Sequence, residues 1–129
     1  MSLTSAMRIS SSGLAAERFR MDTISANIAN ANTMKTQFAD AWHRQDVIFS
    51  GGPDGVRVAG VVSNPSDYIV KHEPSNPNAD KDGNVFYSNV DPLSEMVNMM
   101  SASRAYEANI EAFNSTKRMI RSALQIGKV

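Results

Sequence analysis

The stretch DPLSEMVNMMSASRAYEANIEAFNSTKRMIRSALQIG, residues 91–127, decides the fold. Asp91 is suited to cap a helix, Pro92 to its first turn, where a missing N–H costs nothing, and Glu95 to the positive end of the helix dipole. Met99, Tyr106, Phe113 and Ile120 then recur at seven-residue spacing. Met96, Ile110 and Leu124 read as a companion series, interrupted by Ser103 and Lys117. Gly127 follows the last apolar residue as a stop signal. One helix of about 35 residues, roughly 50 Å long, is expected.

The opposite end of the chain repeats the pattern. Met7, Leu14, Met21 and Ile28 stand seven apart, Leu3 and Ile24 add to the same side, and Ser10 and Glu17 break the companion series. Gly13 weakens this helix by about 1 kcal/mol relative to Ala, yet lets another helix come close. Between the helices, residues 35–90 hold most of the Pro and Gly. Ser50-Gly51-Gly52-Pro53-Asp54-Gly55 is a turn cluster, Val56 to Val62 begins with strand-like alternation, and Tyr68-Ile69-Val70 and Val85-Phe86-Tyr87 are short β-prone runs. The expected fold is mainly α with a small β-rich insertion. Its long N- and C-terminal helices form an antiparallel coiled-coil-like pair, and the zones are 1–34, 35–90 and 91–129.

Composition narrows the function. Thirteen basic and thirteen acidic side chains cancel, which argues against nucleic-acid or anionic-lipid partners. The absence of cysteine excludes disulfides and thiolate chemistry. No stretch approaches the length of a membrane span, and the N-terminus lacks the basic start and continuous apolar run of a secretory signal. Asn78-Ala79-Asp80-Lys81-Asp82-Gly83-Asn84 imitates the start of a calcium loop. Asn89 stands where a bidentate Glu is needed, so an Asp82-Gly83 turn is the simpler reading. His43 and His72 lack a third ligand pattern, and the Gly51–Gly55 segment lacks the Lys-Ser/Thr of a phosphate loop. No catalytic, cofactor or metal site is expected.

The helix faces outside the seams are unusually flat. Ala6, Ala15, Ala16, Ala26, Ala29, Ala102, Ala105, Ala108 and Ala112 suit close helix contact, where a solvated face would carry more Lys and Glu. Three readings stay open on pattern alone: a self-contained two-helix coiled coil, a soluble helical adaptor, and a filament subunit whose second helix face is covered by neighbours. Met96, Met99 and Met100 fit either core packing or an intersubunit contact.

Specific motifs favour the last of these. Ser12-Gly13-Leu14-Ala15-Ala16-Glu17 and the run Met21-Asp22-Thr23-Ile24-Ser25-Ala26-Asn27-Ile28-Ala29-Asn30-Ala31-Asn32-Thr33 resemble the N-terminal signature of the flagellar rod, hook and hook-associated protein family. Many members continue into a Gly-containing turn, whereas Met34-Lys35-Thr36 here is similar to the proximal-rod branch. Trp42-His43-Arg44-Gln45, Gly55 to Gly60, His72-Glu73-Pro74 through Asn89-Val90-Asp91-Pro92, and Glu95 through Asn109 resemble that branch in the same order. The resemblance implies a structural, non-enzymatic subunit of the basal-body rod that transmits motor torque. It implies export through the flagellar type III apparatus without a cleaved signal peptide, and a place in the periplasm-spanning rod. The implied partners are further copies, the rod proteins FlgB, FlgF and FlgG, and base components such as FliE, with no nucleic acid and no membrane insertion. The expected assembly interface is the double seam: Met7, Leu14, Met21, Ile28, Met99, Tyr106, Phe113 and Ile120.

Overall fold

The computed structural model describes residues 2–128. In chain order it contains α1 (Leu3–Ala29), β1 (Gln45–Gly52), β2 (Gly55–Ser63), β3 (Ile69–His72), β4 (Asn84–Tyr87) and α2 (Pro92–Ile126). The two long helices and the strands between them match the sequence reading. Asp91 caps α2 as expected: its Oδ1 accepts from the Leu93 N–H at 3.3 Å and its Oδ2 from the Ser94 hydroxyl at 2.6 Å.

β1 was hidden by its surroundings. Val47-Ile48-Phe49 is β-prone, but it sits between polar Arg44-Gln45-Asp46 and the glycines of the turn cluster, so no alternation stands out. Its partner β2 supplies the missing information through pairing. Only Pro53 and Asp54 separate the two strands, a length that suits an antiparallel hairpin. Pro53 cannot adopt positive φ and no non-glycine residue does, so Gly55, at φ 114°, supplies that part of the turn.

The chain divides into two compact units. The middle unit comprises Asp22–Asp46 and Val61–Met99. Here β3 and β4 pair antiparallel, with Ile69 opposite Tyr87, Val70 opposite Phe86, Lys71 opposite Val85 and His72 opposite Asn84. The Met34-Lys35 segment extends this pairing: Met34 bridges Tyr87, Lys35 N–H donates to the Phe86 carbonyl at 2.7 Å, and Ser88 N–H donates to the Thr33 carbonyl at 3.0 Å. Met34 and Lys35 therefore run as an extended edge beside β4. Ile24, Ala31, Ala41, Val85 and Val90 form the apolar core of this unit. The loop over residues 73–83 is held by its own side chains, with Asn76 and Tyr87 both donating to the Glu73 carboxylate.

The terminal unit comprises Val47–Gly60 with the helix residues through Met21 and those from Met100 onward. Its buried residues, among those described, are Gly13, Ala16, Ala102 and Thr116, none larger than threonine. A Cβ on Gly13 would lie 2.8 Å from the Asn109 amide nitrogen, so α1 and α2 meet here at a distance that only a missing side chain permits. The hairpin tip is seated on α1. Ser12 Oγ donates to its own Ile9 carbonyl at 2.6 Å and accepts from the Val56 N–H at 3.1 Å, and a Cβ on Gly55 would fall 2.1 Å from that same oxygen.

Candidate assembly interface

All eight seam residues, Met7, Leu14, Met21, Ile28, Met99, Tyr106, Phe113 and Ile120, are half-buried. None is fully enclosed by its own chain and none is fully open to solvent. The companion series is different from the expected one. Met96, Ile110 and Leu124 are exposed, at 53%, 37% and 65% of their area. The buried seven-residue series is instead Glu95, Ala102, Asn109 and Thr116, with Glu95, Ala102 and Thr116 enclosed and Asn109 partly so. On α1, Ile24 is enclosed as expected, but Leu3 is 40% exposed.

The physical reason lies in how closely the helices meet. Small side chains allow the backbones to approach, and the polar ones turn inward on their own helix. Asn109 Nδ2 donates to the Ala105 carbonyl at 3.1 Å and Thr116 Oγ1 to the Ala112 carbonyl at 3.0 Å. Such i−4 bonds satisfy a polar group without a partner on the facing helix. Of the alanines expected to face other molecules, Ala16 and Ala102 are consumed inside the subunit, whereas Ala15, Ala29, Ala108 and Ala112 are exposed.

A buried polar cluster occupies the middle unit. Asn27 and Glu95 are each 1% exposed. Asn27 uses its whole amide: Nδ2 donates to the Gln45 carbonyl (2.9 Å) and to Glu95 Oε2 (3.4 Å), while Oδ1 accepts from Trp42 Nε1 (3.1 Å) and Gln45 N–H (2.9 Å). Glu95 Oε1 accepts from Arg44 Nε at 2.6 Å, and Arg44 also pairs with Asp46 at 2.9 Å. The Arg44 N–H donates to Asn89 Oδ1 at 2.6 Å, and Asn89 Nδ2 reaches the carbonyls of Asn64 and Ser66. Leaving any one of these groups buried and unpaired costs about 1–3 kcal/mol, so the cluster is tightly specified. Asn27, Trp42, Arg44 and Glu95 all lie in the motifs that carry the family resemblance, but their meeting point is not visible in the sequence. The one available signal was the regular Glu95–Ala102–Asn109–Thr116 spacing, which a search for apolar periodicity passes over.

Large apolar side chains remain exposed along α2. Leu93, Met96, Val97 and Met100 recur at i, i+3, i+4 and i+7 and are each more than half exposed, and Met119, Leu124 and Ile126 follow near the other end. The places where chemistry was weighed are occupied by structure. Asp80 Oδ1 accepts from the N–H groups of Asp82 and Asn84, both at 2.9 Å, which makes it the organiser of the turn. His43 packs on Tyr68 with ring centroids 4.4 Å apart, and His72 lies 3.4 Å from Asn84 Oδ1. Among the described residues, no three His, Cys, Asp or Glu side chains form a group able to hold a metal ion.

Comparison with known proteins places this arrangement. Residues 7–34 match the family described as flagella basal body rod protein, and residues 81–126 match the family described as flagellar basal body rod FlgEFG protein C-terminal. The chain is 41% identical to the flagellar basal-body rod protein FlgC of Borreliella burgdorferi, over 98% of both chains. It is 36% identical to FlgC of Bacillus subtilis, over 95% of this chain and 96% of that one. It is 37% identical to FlgC of Salmonella typhimurium, over 99% and 100%. Taken with two long helices that leave apolar surface uncovered, this makes the chain a structural protein of the flagellar basal body, and it belongs to the FlgC family of flagellar basal-body rod proteins.

Proposed function

We propose that this rod subunit sits in the proximal part of the rod and assembles through its terminal helices into a tube that carries motor torque. One observation supports this most directly. Among its described residues the terminal unit encloses nothing larger than threonine, while Met7, Leu14, Tyr106, Phe113 and Ile120 stay partly exposed. Completing the burial of those partly exposed side chains adds at most about a third of the roughly 1.5–3 kcal/mol that full burial of each supplies, and in a rod subunit the neighbours supply the covering surface. The interface assigned to assembly is therefore the double seam of Met7, Leu14, Met21, Ile28, Met99, Tyr106, Phe113 and Ile120. In this reading residues 1–34 and 91–129 act as axial helices flanking the 35–90 insertion. The helices run antiparallel, an arrangement supported by Gly13 meeting Asn109 and by Asn27 meeting Glu95. A close-packed tube resists deformation, which is the physical basis of torque transmission.

The same weakness of the terminal unit suits passage through a narrow export channel, followed by ordering as neighbours cover the seam. The flagellar type III apparatus is the proposed route, without a cleaved signal peptide. FlgB, FlgF, FlgG and FliE are the proposed contacts beside further copies of the chain. No described helix is long and apolar enough to cross a membrane. The test is a concentration series of the purified protein by circular dichroism and analytical ultracentrifugation. Helix content is expected to rise with self-association, and Phe113→Asp is expected to remove that rise. A dilute protein already at full helix content, with no tendency to associate, overturns the reading.

A further inference from the structure

The seven-residue repeats leave one matter undecided. Met99, Tyr106, Phe113 and Ile120 recur so regularly that a helix displaced by seven residues still presents apolar side chains at most of the same places. An apolar seam alone therefore does not choose its register. We propose that the Asn27–Trp42–Arg44–Glu95 cluster is a positioning lock, formed in the free subunit, that fixes the start of α2 against the end of α1 before any neighbour arrives.

The lock is specific because its bonds come from separate stretches of one compact unit. Asn27 belongs to α1, Trp42, Arg44 and Gln45 to the connecting segment, and Glu95 to the first turn of α2. Asn27 has no spare donor or acceptor, and both Asn27 and Glu95 are 1% exposed, so water cannot replace a lost partner. Displacing α2 by one turn brings Asp91 or Met99 to the position of Glu95, and a seven-residue shift brings Ser88 or Ala102. Met99 and Ala102 offer no side-chain acceptor to Asn27 Nδ2 or Arg44 Nε, and Asp91 and Ser88 are shorter than Glu and already engaged with the N–H groups of Leu93 and Val90. Only Glu95 satisfies both donors. Buried polar contacts between helices are an established means of selecting one register. Arg44 ties the lock to the rest of the unit through Asp46 and through Asn89, whose amide reaches the carbonyls of residues 64 and 66.

The lock rests on the reading of this chain as a helix-assembled rod subunit, but its test needs no rod. Trp42 is the only tryptophan, so its indole N–H gives a single proton resonance at the centre of the cluster. In the dilute, full-length subunit that resonance is expected to be one sharp peak, exchanging on the order of 100-fold more slowly than an exposed indole. In the Asn27→Leu/Glu95→Met double variant, the helix content by circular dichroism is expected to persist while the peak splits or broadens as α2 samples several registers. Should the double variant unfold, Glu95→Gln decides. It preserves volume and the acceptor for Arg44, but sets an amide donor against Asn27 Nδ2, and is expected to reduce indole protection at least about 10-fold. An unprotected indole in the wild-type free subunit overturns the proposal, as does a single, fully protected peak in a folded double variant or in Glu95→Gln. Because these readouts come from the free subunit, a failure of Phe113→Asp to block assembly would damage the interface assignment and leave the lock standing.

Discussion

The middle and terminal units are built from the same helices by opposite means. The middle unit encloses Ile24, Val85, Val90, Asn27, Ser88 and Glu95, and nearly every polar group in it has a named partner within the chain. Among its described residues the terminal unit encloses Gly13, Ala16, Ala102 and Thr116, and its large seam side chains stay partly exposed. Buried area is the main favourable term in folding, and the first unit encloses large side chains that the second does not, although Leu93, Met96 and Val97 of the first stay exposed. The difference teaches that one chain can enclose a polar cluster with matched partners in one unit and leave large apolar side chains partly exposed in the other.

The largest expected effect breaks this comparison in the terminal unit. Phe113→Asp puts a charge into a half-buried seam position and is expected to abolish incorporation into rods, scored as loss of motility in a complementation assay, while Trp42 emission stays native. Motile cells carrying this variant would remove Phe113 from the interface. Gly55→Ala comes next, because an alanine at φ 114° is strained and its Cβ falls against Ser12 Oγ. A loss of about 3 kcal/mol, read by hydrogen exchange over residues 47–60, is expected. Normal protection there would mean that the hairpin tip is not seated on α1.

Val85 and Phe113 sharpen the contrast directly. Val85→Ala, at a fully enclosed site, should lower the unfolding free energy of the free subunit by about 2 kcal/mol, followed by Trp42 fluorescence in urea. Phe113→Ala should cost less than the roughly 3–5 kcal/mol of an enclosed phenylalanine, since its side chain stays partly exposed in the free subunit. A full loss of that size at Phe113 would erase the distinction between the units.

The smallest effect is electrostatic and local to the 73–83 loop. Hydrogen bonds from Asn76 and then from Tyr87 hold the Glu73 carboxyl below its ordinary 4.5, and the bond to Glu73 holds Tyr87 above its ordinary 10.0. A lowered carboxyl value stabilises the fold above 4.5 and loses that contribution as pH falls through the folded value. A raised phenol value stabilises below 10.0 and loses it as pH rises through the folded one. The protection of amides in residues 73–83, taken relative to intrinsic exchange at each pH, should therefore fall at both extremes, below about pH 4 and above about pH 10, and stay flat between. A loop that loosens near neutral pH would show that other contacts hold it.

Element identity was largely legible beforehand, because it depends on local chemistry. Asp91 and Pro92 announce the start of α2, and Val56 to Val62 and Val85 to Tyr87 announce β2 and β4. Only β1 escaped, since Val47-Ile48-Phe49 carries too short a pattern until β2 pairs with it. The interior of the helix pair was read less well. Met96, Ile110 and Leu124 have the hydrophobicity of a core series and the spacing to match, but the helices meet at Gly13, Ala102 and Thr116. Periodicity gives the faces of a helix and is silent about the distance between two of them.

By itself the sequence determined two long helices, a strand-bearing insertion, the absence of thiol chemistry and, through its motifs, membership in the rod family. The helices, the insertion and the missing thiol chemistry follow from caps, spacing and composition, whereas the family rests on the resemblance of whole motifs. The tertiary structure alone decided that Asn27, Trp42, Arg44 and Glu95 share one buried cluster, and that Gly13, not a methionine, faces Asn109 where the two helices approach. Those outcomes depend on which distant groups can satisfy one another's hydrogen bonds and volumes at once, a condition that no local pattern encodes.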